Sequence, residues 1–331
     1  MHVLVTGGAG FIGSHYVRML LSRPGSRGLT ITVLDKLSYA GNPANLAEWE
    51  ADERFRFRRG DICDRALLDE VLPGADCVVH FAAESHVDRS IEDGDVFLCT
   101  NVLGTQRLLE ASLRHGVGKF VHVSTDEVYG SIDQGSWPET DPLRPNSPYS
   151  ASKASSDLLV LAFHRTHGLD VSVTRCSNNY GPMQYPEKVV PLFLTRLIDG
   201  LPVPLYGDGR QVRDWLHVED HCHGIELVRS GGRPGEVYNL GGGTELSNRD
   251  LTERLLAVTG SDWSSVRRVP DRKGHDLRYS VDWSKAREEL GYLPTRDFAS
   301  GLEATARWYR DHPGWWRPLG RRLPKALSGS V

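Results

Sequence analysis

A short apolar run, HVLVT, opens the chain and passes directly into GGAGFIGSH. Gly7, Gly10 and Gly13 recur at every third position where the pattern changes from strand to helix. Without a Cβ, these glycines let the backbone approach a neighbouring chain or a ligand closely. The helix that follows presents unsatisfied N–H groups and a partial positive charge. The unit therefore predicts the first strand–turn–helix step of an open parallel sheet, with an anion bound at the helix start. The N-terminal half keeps the same rhythm. LTITVLD, RFRFRRGD, ADCVVHFAAES and GKFVHVS read as strands, with SHYVRMLLSR, RALLDEVLP and NVLGTQRLLEASLRHG as helices between them. This alternation predicts an α/β fold, a Rossmann-type doubly wound parallel sheet.

From about residue 170 the rhythm loosens, and Pro and Gly gather in NNYGPMQYPEKVVP, GLPVPLYGDGR and YNLGGGTELS. We expect a smaller, loop-rich substrate-binding lobe there. Residues 1–175, with returning segments near 214–240, read as the sheet domain, an interleaved 176–320 as the lobe, and 321–331 as a flexible tail. A chain of 331 residues with 39% hydrophobic content can bury a large core. Its 39 basic and 43 acidic side chains give a formal charge of −4 without long like-charge runs, so no nucleic-acid partner is expected. Cys63, Cys77, Cys99, Cys176 and Cys222 are widely spaced, as reduced thiols are, and unlike a zinc site or redox pair. HVLVT follows Met1 without a leader pattern and no apolar stretch reaches membrane-spanning length, so the expectation is a cytoplasmic protein with no membrane partner. His217, His221 and His223 lie near Asp220 and Cys222, but their segment runs into the amphipathic GIELVRS. We read them as structural histidines and expect no metal.

Asp35 closes the second strand about 20 residues beyond the glycine turn, where an acid binds the ribose hydroxyls of NAD and repels the 2′-phosphate of NADP. The adjacent Lys36 is the feature that would suit that phosphate. Asp61, closing the third strand, could accept from adenine or cap the helix RALLDEVL. In open parallel sheets ligands lie outside the carboxyl ends of the strands, and VSTDEVYG is such an end. Asp126 and Glu127 should therefore face the cofactor crevice. Further on, in NSPYSASK, Ser147 can cap a helix, Pro148 suits its first turn, and Tyr149 and Lys153 share one face. A phenol ordinarily titrates near ~10, so a neighbouring ammonium and a cationic nicotinamide would be needed for Tyr149 to act as a base.

TGGAGFIG, STDEVYG, YSASK and RCSNNYGP together resemble the extended short-chain dehydrogenase/reductase superfamily, and within it the dTDP-glucose 4,6-dehydratases. The similarity continues through DKLSYAGN, FAAESHVDRSI, PEKVVPLF, PLYGDG, VRDWLHVEDH and DRKGHDLRYS, leaving the last dozen residues outside it. Sugar-nucleotide epimerases resemble the chain in the glycine turn and YxxxK but lack the adjacent Asp–Glu pair. The resemblance implies conversion of a dTDP-hexose, dTDP-glucose, to dTDP-4-keto-6-deoxyglucose and water: oxidation at C4, elimination across C5–C6, and return of hydride to C6. NAD would be tightly bound and regenerated at each turnover. The resemblance casts Tyr149 as the base for the 4-hydroxyl, Glu127 as the C5 base and Asp126 as the acid for the departing 6-oxygen. Thr125 would donate to the sugar oxygen at C4, and Lys153 would hold the nicotinamide ribose. Two adjacent carboxyls resist double ionisation, which suits one acid and one base.

The same resemblance extends the cofactor contacts from the glycine turn to Phe11 and Ile12, to Lys36, Leu37 and Ser38 after Asp35, and to Asp61 and Ile62. Phe81, Ala82, Ala83, Ser85, Thr100 and Asn179 complete that set. Implied substrate contacts are Ser85, Thr125, Asn178, Lys188, Val189, Pro204, Leu205, Tyr206, Arg213, Asn248, Arg272, His275 and Tyr279. Val189 stands where the family commonly has leucine, and Arg213 and Arg272 suit a diphosphate. A homodimer is implied in the same way. Two other readings stay open: an NAD-dependent sugar-nucleotide 4-epimerase or decarboxylase, and a non-catalytic NAD-binding regulator. A product with a new 6-methyl group distinguishes the dehydratase from the epimerase.

Overall fold

A computed structural model describes residues 1–23, 25, 28–271 and 274–320. Its strands are β1 (His2–Thr6), β2 (Thr30–Asp35), β3 (Phe55–Arg59), β4 (Cys77–His80), β5 (Lys119–Thr125), β6 (Val171–Cys176), β7 (Asn178–Tyr180), β8 (Val203–Tyr206), β9 (Val212–His217), β10 (Glu236–Leu240), β11 (Glu245–Ser247) and β12 (Val266–Val269). Seven of them form a parallel sheet in the order β10-β6-β5-β4-β1-β2-β3. The central strands are apolar on both faces because helices cover both, whereas edge strand β3 exposes Arg56, Arg58 and Arg59. Val3, Val5, Ile31, Val33 and Val79 pack with Tyr16 and Leu20 of helix Phe11–Ser22 and with Ile225 of helix Val218–Gly231. Leu4, Leu34, Val78 and Phe120 face the opposite way, onto Leu68, Leu108 and Val160 of helices Arg65–Val71, Thr105–Arg114 and Pro148–His167. Each fully buried aliphatic side chain contributes about 1.5–3 kcal/mol, so the sheet is the main source of stability.

The strand order reverses between β1 and β4, which opens a crevice at their carboxyl ends. Gly7 follows β1 and Phe81 follows β4 at this point, with Gly7 N donating to Leu34 O (2.9 Å) and Phe81 N to Thr6 O (3.0 Å). After β6 the chain leaves the sheet, builds much of the lobe, and returns as β10 alongside β6. The lobe holds a three-stranded sheet, β11-β9-β7, and the pair β12-β8. Helices Val189–Ile198, Asn248–Thr259 and Phe298–Asp311 enclose a separate apolar cluster with Leu194, Trp215, Leu251 and Tyr309. The helix read from Asn101 onward begins differently from expectation: Leu98–Gly104 is π-helical before α-helix resumes at Thr105. The widened turn places the Asn101 amide to accept from Glu84 N (2.9 Å) and donate to Glu84 O (3.0 Å) and Ser152 Oγ (2.9 Å). Residues 321–331, read as a tail, lie outside the described residues.

Candidate active site

The glycine turn does what its spacing requires. Gly7 has φ +70°, and a Cβ there would lie 2.6 Å from Ala82 N, so a side chain would force the two strand ends apart. A Cβ on Gly13 would run into Gly7 O. Gly10 is the N-cap of helix Phe11–Ser22 and supplies no capping side chain, which leaves the helix N–H groups facing the crevice. Asp35 at the end of β2 accepts from Ala9 N (3.0 Å) and Leu37 N (2.8 Å), and burial raises its pKa. Lys36 turns its ammonium to Thr100 Oγ1 (3.1 Å), Glu84 (3.5 Å) and Asp61 (3.8 Å). Asp64, rather than Asp61, caps helix Arg65–Val71, leaving Asp61 on the crevice wall. A continuous cavity runs from Asp35 and Asp61 past the glycine turn and Phe81–Ala83 to Thr125, Tyr149 and Lys153. It also takes in Phe11, Ile12, Ser38, Ile62, Ser85, Thr100 and Asn179. The cradle in which a Cβ would collide, the uncapped helix end and the strand-end acid together fit a dinucleotide with an unphosphorylated ribose. Leu37 is absent from this wall. At φ +57° its side chain turns to the apolar core, and its amide supports Asp35 instead.

β5 ends at Thr125 and a single 3₁₀ turn, Asp126–Tyr129, follows. Thr125 Oγ1 accepts from Glu127 N (3.2 Å) and donates to Asp126 Oδ1 (3.2 Å). Asp126 is buried and its Oδ2 has no hydrogen-bond partner. Burial, reinforced by neighbouring Glu127, pushes its pKa well above the carboxylate range, which favours the protonated form an acid needs. Both carboxyls line the crevice, and Glu127 also lines a second cavity in the lobe. Helix Pro148–His167 starts with a capping box: Ser147 Oγ accepts from Ser150 N (3.1 Å), and Ser150 Oγ from Ser147 N (3.1 Å). This start aims Tyr149 and Lys153 into the crevice. Their relation differs from the one expected of a direct ammonium–phenol pair. Lys153 Nζ donates to Val123 O (2.9 Å) and lies 3.4 Å from His122 Nε2, and burial lowers its pKa to about 8. Burial and then Glu127 raise the Tyr149 phenol well above its ordinary value, with a hydrogen bond to Thr125 acting the other way.

The second cavity adjoins the first across Glu127, Asn178, Lys188 and Val189. Asn178 Oδ1 is buried there without a partner. Pro204, Tyr206, Arg213, Asn248, His275 and Tyr279 line the remainder. Arg213 lies over the Tyr279 ring (4.1 Å to its centroid) and donates to Val212 O (2.7 Å) and Asp276 O (2.9 Å). Leu205 does not reach this cavity. It is 3% exposed and packs inward, because side chains alternate along β8 and its neighbours Pro204 and Tyr206 take the outer face. Arg272 lies outside the described residues. Sequence reasoning passed over Gln184, Tyr185 and Glu187, which line the crevice, and Phe193 and Trp215, which line the lobe cavity; His86 and Asp88, expected only to stabilise the loop beside Ser85, line that cavity too. Most sit in loops with no periodic signal, although Glu187 adjoins Lys188 in the quoted PEK. His221 bonds Asn179 Oδ1 (2.9 Å) through Nδ1, while His217 caps helix Val218–Gly231. Among the described residues, no three His, Cys, Asp or Glu side chains group as metal ligands.

Residues 4–305 match the GDP-mannose 4,6 dehydratase family. A dTDP-glucose 4,6-dehydratase from Streptomyces antibioticus is 65% identical over 97% of this chain and 96% of its own length. The crystal structure of DesIV, a dTDP-glucose 4,6-dehydratase from Streptomyces venezuelae with NAD and TYD bound, superposes with a TM-score of 0.95. It is 63% identical, over 96% of this chain and all of that one. The UDP-glucose 4-epimerase of Thermotoga maritima has a TM-score of 0.87 at 35% identity, over 95% of this chain and all of its own. The shared architecture thus extends to the epimerases, whereas identities above 60% fall on the dehydratases. With these identities, a dinucleotide crevice and two adjacent carboxyls at its end, the chain belongs to the dTDP-glucose 4,6-dehydratases of the extended short-chain dehydrogenase/reductase superfamily.

Proposed function

We propose that the chain dehydrates dTDP-glucose to dTDP-4-keto-6-deoxyglucose, with NAD as resident cofactor and Thr125, Asp126, Glu127, Tyr149 and Lys153 as the working side chains. Bound NAD would supply a hydride acceptor for C4 and the same hydride for C6, so that no net oxidation is required. Gly7, Gly10 and Gly13 hold its pyrophosphate and Asp35 its adenosine ribose. Tyr149 would take the proton of the 4-hydroxyl with a cationic nicotinamide beside it to offset the burial and Glu127 that disfavour its phenolate, while Thr125 donates to the same sugar oxygen. A ketone at C4 acidifies C5, and Glu127 removes that proton. Asp126 then protonates the 6-oxygen, which leaves as water, and a proton is returned to C5 as C6 receives its hydride. Lys153, fixed between Val123 O and His122, holds the ribose next to the nicotinamide.

The observation that carries this reading is the contrast between two adjacent carboxyls. Asp126 is buried against the crevice alone, with an unpartnered oxygen, whereas Glu127 faces both cavities. Different surroundings separate an acid from a base in this way. A 4-epimerase makes no use of such a pair. Glu127→Gln should oxidise C4 and stall: reduced-nicotinamide absorbance rises, deuterium from solvent does not enter C5, and NMR shows no 6-methyl product. Wild-type turnover of dTDP-glucose by this variant overturns the assignment.

The lobe, residues 176–320, would hold the nucleotide, with Arg213 at the diphosphate and Pro204 and Tyr206 beside the base. The working unit would be a cytoplasmic homodimer. Leu98 and Leu158 are 54% and 60% exposed on helical segments that pack side by side, and a second copy would cover them. Among the described residues no helix is long and apolar enough to cross a membrane.

A further inference from the structure

Between β7 and helix Val189–Ile198 the chain runs as loop 181–188, which carries Gln184, Tyr185, Glu187 and Lys188 along the crevice wall. One end of the loop is held by neutral bonds. His15, on the helix begun by the glycine turn, bonds Pro182 O (2.9 Å); Gln184 donates to Asn179 O (2.9 Å) and accepts at its carbonyl from Tyr309 Oη (2.6 Å). Met183 is fixed between them at φ +61°. The other end is held by charge. Glu187 is 5% exposed and accepts from Arg89 Nε at 3.2 Å. The Arg89 guanidinium lies 3.9 Å from the centroid of Tyr39, which belongs to the stretch after Asp35 and meets Tyr185 edge-on at 5.5 Å. Next along the loop, Lys188 Nζ donates to Ser85 O (2.6 Å), in the stretch after β4. Three segments thus meet at one buried carboxylate: the chain beyond β2, the chain beyond β4, and the lobe loop. Glu187 and Lys188 also line the lobe cavity.

We infer that Glu187 is a positioning residue whose pairing with Arg89 clasps loop 181–188 across the crevice, retaining the dinucleotide and setting Lys188 for the sugar nucleotide. The inference rests on the NAD reading above. A carboxylate so buried is tolerated because two cations, Lys188 and Arg89, compensate it, and the Tyr39 face fixes the Arg89 guanidinium in turn. Losing either partner loosens the charged end of the loop and leaves the Lys188–Ser85 bond as its hold on the stretch after β4. Glu187→Gln keeps the shape and removes the charge. Arg89→Gln removes the partner from a position that is 29% exposed.

The test compares wild type, both single variants and the double variant for the NAD dissociation rate, for NAD retained through gel filtration, and for KM against kcat with dTDP-glucose. Each single variant should release NAD on the order of tenfold faster and raise KM more than it lowers kcat. The double variant should match either single one, because both break the same tie. Wild-type NAD release from Glu187→Gln, or losses that add in the double variant, overturns the clasp. A wild-type chain that binds no NAD overturns the functional reading and the clasp with it; NAD held equally by wild type and variants overturns the clasp alone.

Discussion

Asp126 meets Thr125 through one carboxyl oxygen and buries the other without a partner. Its raised pKa makes the native state bind a proton that the unfolded chain releases. The resulting stabilisation is complete below the unfolded value of ~3.9 and is lost as pH rises toward the folded one. Asp126→Asn removes that loss, so its melting temperature should exceed the wild-type value at about pH 7 and match it at about pH 3. Its dehydratase activity should fall by ~10²–10⁴-fold, as general-acid removal does. Melting curves at both pH values check the sign. A catalytic group that destabilises its own fold at working pH is what a strained active site looks like. The residues of this site were legible where chemistry demands a residue type at a fixed spacing: three glycines, an acid at a strand end, Tyr149 four residues before Lys153. What spacing could not show was direction. Lys153 shares a helix face with Tyr149 yet gives its ammonium to Val123 O, because a strand carbonyl lies within reach of the long side chain. Leu205 could have been assigned correctly, since period-two alternation with Pro204 and Tyr206 already put it on the other face.

Helix Pro148–His167 holds Tyr149 and Lys153 at its start and rests one turn later on a buried charge cluster. Asp157 accepts from Arg175 Nε (2.9 Å) and lies 3.5 Å from His122 Nε2; Arg175 also donates to Tyr129 Oη (2.7 Å). Although burial alone would raise the Asp157 pKa, Arg175 and His122 hold it down to about 2. With its folded pKa depressed, this carboxylate contributes stability above the ordinary ~3.9 that disappears as pH falls through about 2. Asp157→Asn leaves Arg175 buried without its anion and should cost about 3–5 kcal/mol at neutral pH, with the difference narrowing in acid. Urea unfolding at the two pH values measures it. The long helices and central strands were readable because each repeats its period over several turns or pairs. The lobe's strands were not: β7 and β11 are three residues each, too short for any period to register, and their pairing depends on partners far along the chain.

At the scale of the whole molecule, the apolar surface around Leu98 and Leu158 predicts a dimer that a single charge should split. Leu158→Glu should shift sedimentation from dimer to monomer while the isolated chain keeps its sheet; an unchanged dimer would place the interface elsewhere. The order of the main sheet has another consequence. The chain leaves it after β6, forms loop 181–188, β8 and β9, and re-enters as β10 beside the strand it left. Lobe and sheet are therefore threaded through each other and cannot be traded as modules. A single recombination junction anywhere between β6 and β10 would pair one parent's lobe entry with the other's return strand. New sugar or base preferences on this scaffold should accordingly arise by substitution at positions such as Tyr206, Asn248 and Val189, and chimaeras with a distant relative should fold poorly even where each parent folds well.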